Sequence, residues 1–158
     1  MSSINLALYQ PEIPQNTGAA MRLTACMGIP LDVIEPTGFV WDEAKIRRSA
    51  MDYIDFVALK KHAGWDAFRA AYPGRRVVLL TTKSDQSYLD FTFRGGDILL
   101  AGQESAGVPE HVHLSCDARL TIPMADGPRS MNVVNACAMV VGEALRQVRH
   151  HGKQHESP

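Results

Sequence analysis

The chain of 158 residues has no long apolar run, no paired cysteines and no excess of either charge. Its greasiest stretch, residues 133–141, is broken by Asn135 and is far short of the roughly 20 apolar residues that a bilayer span needs. Residues 4–9 open a hydrophobic segment with no basic region ahead of it, so no secretory leader is expected. The three cysteines, Cys26, Cys116 and Cys137, are widely spaced and form no CxxC pair. They read as reduced thiols of a cytoplasmic protein, and no metal site is expected. A net charge of −1 is not that of a general nucleic-acid binder, so an RNA partner would have to be held by local patches. The chain also lacks a Gly-Lys-Ser/Thr phosphate loop, and no GxGxxG follows its first strand. Those absences argue against NTP hydrolysis and against a dinucleotide-binding fold.

What is present is the composition of one globular domain, 46% hydrophobic and 21% charged. We read residues 1–150 as that domain and 151–158, with its histidines, as a flexible, solvated tail. Adventitious metal binding by those histidines is the less favoured alternative. Short apolar runs at 4–9, 31–34, 56–59, 77–81, 98–101 and 119–122 predict strands. Helical spacing predicts helices at 17–27, 42–49, 64–71, 109–114 and 130–150. Such alternation implies an α/β fold with a mostly parallel sheet covered on both faces. For the first helix, Asn16 is the expected N-cap and Gly28 the stop, with Pro30 beyond.

Three segments carry the candidate chemistry. They are Pro14-Gln-Asn-Thr-Gly-Ala-Ala-Met-Arg22, Gly102-Gln-Glu-Ser-Ala-Gly-Val-Pro109 and the run from Ile122 to Asn135. Each follows a strand end, where open α/β sheets bind ligands. The glycines of the second segment let backbone approach a ligand, although a plain tight turn explains them equally well. Ser130 reads first as an N-cap. Asn132 and Asn135 are poor helix formers at the mouth of a helix that is apolar nearly all round, so they are expected to be buried against each other or a polar ligand. From periodicity alone Arg22 reads as a surface arginine.

Pro11-Glu-Ile-Pro-Gln-Asn-Thr-Gly18, Ile34-Glu-Pro-Thr-Gly-Phe39, Trp41-Asp42 and Ile122-Pro-Met followed by Arg129-Ser-Met-Asn132 resemble the SPOUT superfamily of S-adenosylmethionine-dependent RNA methyltransferases. The match is to its small members, the tRNA (cytidine/uridine-34-2′-O)-methyltransferases, over roughly residues 4–147. The resemblance implies a C-terminal deep trefoil knot, a homodimer and 2′-O-methylation of the wobble ribose, with leucine tRNAs as expected substrates. It implies cofactor contacts at Leu80, Gly102, Ile122, Ser130 and Met131. Catalytic roles would fall to Arg22, Asn16, Glu104, Ser130 and Asn132, with Glu104 orienting Arg22 or another basic group. The family pattern often has tyrosine where this chain has Gly142. That glycine costs the helix on the order of 1 kcal/mol and could mark close packing.

The anticodon stem-loop of tRNA would be gripped by Lys45, Arg47, Arg48, Lys60 and Lys61, each of which also reads as a solvated surface charge. Arg75-Arg76 reads as solvated. Phe39 and Trp41 could stack on bases or pack. Two other readings stay open: methylation of a different tRNA or ribosomal RNA ribose, and a catalytically silent, knotted RNA-binding dimer.

Overall fold

The computed structural model describes residues 3–51, 53–127 and 130–155, with no account of side chains from 150 on. Six strands build the sheet: β1 (Asn5–Tyr9), β2 (Leu31–Ile34), β3 (Leu59–His62), β4 (Val77–Leu80), β5 (Ile98–Ala101) and β6 (Ala118–Leu120). All pair in parallel, in the order β3-β2-β1-β5-β4-β6. The central strands are apolar at nearly every position because both faces are covered. β1, β2 and β5 are buried throughout.

Alternate residues divide the core in two. Leu6, Leu8, Leu31, Val33 and Leu99 pack with α1 (Pro14–Met27), α2 (Glu43–Ser49) and α5 (Val133–His155). Ala7, Tyr9, Ile98 and Leu100 pack with α3 (Trp65–Ala71) and α4 (Glu110–Ser115) on the other face. On that second face Asp32 is fully buried within β2. Its Oδ1 lies 2.6 Å from the Tyr72 hydroxyl and 2.7 Å from His62 Nε2, and its Oδ2 accepts from Asn5 Nδ2 at 2.9 Å. A buried carboxyl is tolerated there because its oxygens are satisfied.

The predicted strand at 56–59 is displaced. Residues Tyr53–Phe56 form a 3-10 turn with Phe56 76% exposed, and β3 begins at Leu59. β3 is an edge strand, so exposed Lys60 and Lys61 fit it while periodicity favoured the apolar run before it. α1 starts three residues earlier than predicted. Ile13, not Asn16, is in the cap position, and Pro14 opens the helix, where its missing N–H costs nothing. Gly28 ends it at φ 67°.

The last helix starts later than predicted and runs to His155, so its backbone continues through part of the expected tail, while 156–158 lie outside the described residues. It is not buried all round. Cys137, Val140, Val141, Ala144 and Leu145 face the core, whereas Met139 and Gly142 are exposed. A Cβ built on Gly142 meets no atom within 4 Å, so within this chain the glycine marks no close packing. No helix among the described residues is long and apolar enough to cross a membrane.

Candidate functional site

The strand order reverses between β1 and β5, and the loops leaving the C-terminal ends of the strands gather beside that point. This is where open α/β sheets place ligands. A cavity of about 750 Å³ lies there, within the usual size of small-molecule sites. Its walls come from the end of β4 (Leu79 to Lys83), the loop after β5 (Gly102 to Val108), the segment after β6 (Thr121, Ile122, Met124) and the start of α5 with the residues before it (Ser130 to Val133, Ala136, Cys137). Ile13 and Asn16 of the α1 entry complete it.

Local chemistry shapes each wall. A Cβ on Gly102 would sit 2.6 Å from the Gly107 carbonyl carbon, so only glycine lets this loop close. Gln103 and Gly107 then exchange backbone hydrogen bonds at 2.8 and 3.0 Å, and Gly107 takes φ 65°. Asn132, not Ser130, caps α5. Its Oδ1 accepts from Val134 N at 2.8 Å and Asn135 N at 3.2 Å, and its Nδ2 donates to Asn16 Oδ1 at 3.1 Å. Asn16 Nδ2 in turn reaches Glu104 Oε1 at 3.5 Å, and Glu104 Oε2 accepts from the Glu12 backbone N–H at 2.9 Å. One polar chain thus ties three loops together. Asn132 and Asn135 are exposed rather than buried, and Asn135 does not line the cavity.

Of the sequence candidates, Asn16, Leu80, Gly102, Glu104, Ile122, Ser130, Met131 and Asn132 all line this one cavity. Arg22 does not. Six residues beyond Asn16, it lies about 9 Å further along α1 and roughly 120° around it. It is exposed, with Nη1 2.7 Å from Met51 Sδ and its guanidinium 5.5 Å from the centre of the Tyr53 ring. Glu104 therefore orients Asn16 and the backbone at Glu12, not Arg22, within this chain.

The basic candidates are scattered. Lys45 and Arg48 are exposed on α2, while Arg47 forms a paired contact with Asp55 at 3.1 and 3.2 Å. Lys60 and Lys61 point to opposite faces of β3, Lys60 lying over the Tyr72 ring and Lys61 over Trp41 at 4.7 Å. Trp41 also stacks on Phe39, and both pack against the core. Arg75 and Arg76 are not solvated charges. Arg75 bonds the Gly96 carbonyl and Asn5, and Arg76 bonds Asp97 through two nitrogens at 2.9 and 2.7 Å.

Sequence reading missed Glu12, Ser105 and Lys83. Lys83 and Ser105 line the cavity, and Glu12 carries the other side of the polar chain. Glu12 stands inside the Pro-Glu-Ile-Pro motif, and its position there was the available signal. Burial pushes the Cys116 and Cys137 thiols up to about 11 and about 12, so they stay protonated, whereas Cys26 is exposed. Among the described residues no group of three or more His, Cys, Asp or Glu side chains gathers to hold a metal ion.

Residues 3–142 match the model of the SpoU rRNA Methylase family. The chain belongs to that family. It is 56% identical, over 97% of each chain, to the tRNA (cytidine(34)-2′-O)-methyltransferase of Beijerinckia indica subsp. indica. A solved structure giving insight into the 2-OH methylation of C/U34 on tRNA superposes with a TM-score of 0.89 at 40% identity, covering 94% of this chain and 98% of that one. The SpoU methyltransferase AviRb from Streptomyces viridochromogenes, in complex with the cofactor AdoMet, matches with a TM-score of 0.80 at 27% identity. That match covers 92% of this chain and 60% of AviRb.

Proposed function

We propose that this SpoU methylase transfers a methyl group from S-adenosylmethionine to the ribose 2′-oxygen of nucleotide 34, a cytidine or uridine, in the anticodon loop of leucine tRNAs in the cytoplasm. The observation that carries the reading is the convergence of eight candidate residues on one cavity at the sheet's reversal point, in a chain 56% identical to a C34 2′-O-methyltransferase.

The cavity suits the donor. Leu80, Ile122, Val133 and Cys137 offer apolar surface for a ring and a thioether chain, and Asn16, Glu104, Ser130 and Asn132 offer polar contacts at the rim. When bound, S-adenosylmethionine supplies an electrophilic methyl group on a positively charged sulfur. Leu80, Gly102, Ile122 and Ser130 hold it, largely through backbone groups, and Met131 packs beside it. Alignment of two bound reactants then does most of the catalytic work. As the bond from the 2′-oxygen to the methyl carbon formed, the sulfur–methyl bond would break and S-adenosylhomocysteine would leave, while the proton of the weakly acidic 2′-hydroxyl would pass by way of the adjacent phosphate to water. Asn16 and Asn132, locked to each other, keep the rim rigid where the ribose enters.

Arg22 is a permanent cation and a poor base, so its role is to stabilise charge developing on the 2′-oxygen and to orient the adjacent phosphate. It lies outside its own chain's cavity, and a second copy would have to deliver it. The incompletely covered apolar side chains Ile13, Met131 and Met139, at 40%, 36% and 43% exposure, support a homodimer. The return of α5 from the sheet edge at β6 to the middle, against α1 and β5, supports threading of the C-terminal segment into a knot.

Labelled methyl transfer to total tRNA from cells lacking this activity, followed by nucleoside mapping, tests the proposal. Label on the nucleotide-34 ribose is the expected result. Label on another ribose would move the assignment to a different RNA site. No label, despite donor binding, would make the chain a silent RNA binder.

A further inference from the structure

The switch-point loops are joined by a reciprocal contact that the methyl-transfer reading does not use. The Glu104 carboxylate accepts the Glu12 backbone N–H at 2.9 Å, while the Glu12 carboxylate takes the neighbouring residue of the opposite loop. Glu12 Oε1 accepts from Ser105 N at 2.9 Å and from Ser105 Oγ at 2.7 Å, and Oε2 lies 2.9 Å from the same hydroxyl. Gln103 Nε2 adds a third tie, to the Gln10 carbonyl at 3.2 Å. Two adjacent acids, one from each loop, thus each grip the other loop's backbone.

The position is tightly built. A Cβ on Gly38 would sit 3.1 Å from Glu12 Cα, and Gly38 N donates to the Pro11 carbonyl at 2.9 Å. Gln10, just before, adopts φ 42°, a left-handed conformation that costs energy in a residue with a side chain. The Ser105 bonds hold the Glu12 carboxyl below the usual carboxylate range, so it is ionised and accepts charge-assisted bonds at neutral pH. Ser105 stands midway in the loop from Gly102 to Val108, the cavity wall that glycines allow close to a ligand. The Gln103–Gly107 bond pair closes that wall on itself, and the Glu12–Ser105 contact is what anchors it to the loop ahead of α1.

We infer that Glu12 is a positioning residue, whose grip on Ser105 fixes the Gly102–Val108 wall of the donor cavity and thereby sets donor affinity. This rests on the reading of that cavity as the S-adenosylmethionine site. The Glu12 side chain itself is aimed at Ser105, so it acts through the loop.

The test is calorimetric titration of the full-length protein with S-adenosylhomocysteine, alongside methyl-transfer kinetics with varied donor and thermal melting. Glu12→Ala should weaken binding by about tenfold, the scale of losing a charge-assisted bond to an amide. The donor KM should rise more than kcat falls, with the melting midpoint nearly unchanged. Glu12→Gln can still accept from Ser105 N and should recover most of the affinity. Ser105→Ala keeps the backbone donor and should lose less than Glu12→Ala. Wild-type affinity in Glu12→Ala would overturn the inference. So would a loss in Glu12→Gln as large as in Glu12→Ala that tracks a fall in melting midpoint. Should Glu12→Ala not fold, Glu12→Asp, whose carboxylate is one methylene short of Ser105, takes its place: wild-type donor KM and affinity would overturn the inference, and a raised donor KM at an unchanged melting midpoint would support it. Failure of the wild-type protein to bind S-adenosylhomocysteine would instead remove the donor reading on which the inference stands.

Discussion

At the scale of single residues, Asn132 does two jobs with one amide. Its oxygen closes the start of α5 and its nitrogen holds Asn16 across 116 positions of sequence. The jobs separate by mutation. Asn132→Asp keeps a capping oxygen but cannot donate to Asn16 Oδ1. Asn132→Ala loses both and should cost about 1 kcal/mol of stability. We expect both variants to lose most methyl transfer and only the alanine variant to show the stability loss in urea unfolding. Equal destabilisation of the two would mean that the cap is not the carboxamide oxygen.

A second residue-scale prediction concerns acid. Glu143 Oε1 accepts from Arg146 at 2.8 Å and Gln147 at 3.0 Å, and these contacts hold its carboxyl at about 2 against an ordinary 4.5. A folded-state value below the unfolded one stabilises the fold above pH ~4.5 and loses that contribution as pH falls toward about 2. Glu143→Gln should therefore flatten the fall in stability across that interval, measured by urea unfolding at several pH values. An unchanged pH slope would show that these contacts do not persist in solution.

At the scale of elements, α1 and α2 meet through a missing side chain. A Cβ on Gly18 would lie 2.6 Å from the Ser49 carbonyl carbon and 3.0 Å from Ala50 N. Backbone cannot yield as a side-chain tip can, so Gly18→Ala should destabilise the fold by about 1–3 kcal/mol, despite alanine's better helix propensity. A melting midpoint at or above that of the wild type would contradict the packing described.

Elements were legible in proportion to how local their causes are. β2 and β5 fall at the predicted residues because each is a short buried run between breakers, apolar throughout in β5 and apolar but for Asp32 in β2. Gly28 ends α1 as read because a left-handed stop is local chemistry. β3 was misplaced because an edge strand accepts lysines and its pairing with β2 is a long-range fact. The starts of α1 and α5 were misread for a related reason. Asn16 and Asn132 resemble each other in sequence, yet one caps a helix and the other lies in a first turn facing a cavity. The gathering of three loops was legible from motif order; the grip of Glu12 on Ser105, 93 positions apart, was not.

At the scale of the whole molecule, the cavity and Arg22 belong to different surfaces of one chain. A dimer in which Arg22 crosses to its partner's cavity reconciles them, and mixing tests it. Arg22→Ala and Asn132→Asp homodimers should each be nearly inactive. Co-expressed, they should regain about a quarter of wild-type activity, because random pairing makes half the dimers mixed and each mixed dimer has one intact composite site. No recovery in mixed dimers isolated with two affinity tags would place Arg22 and the cavity in the same subunit's site.

The sheet's outer border at β3 has a further consequence. A strand with one unpaired side is a template on which another copy's backbone could lay itself, and growth of that kind ends in insoluble ribbons. Here the two exposed positions of that strand are adjacent lysines, one projecting to each side. Any incoming identical strand would bring like charges alongside them. The border at β3 therefore repels its own kind while remaining attractive to a polyanion.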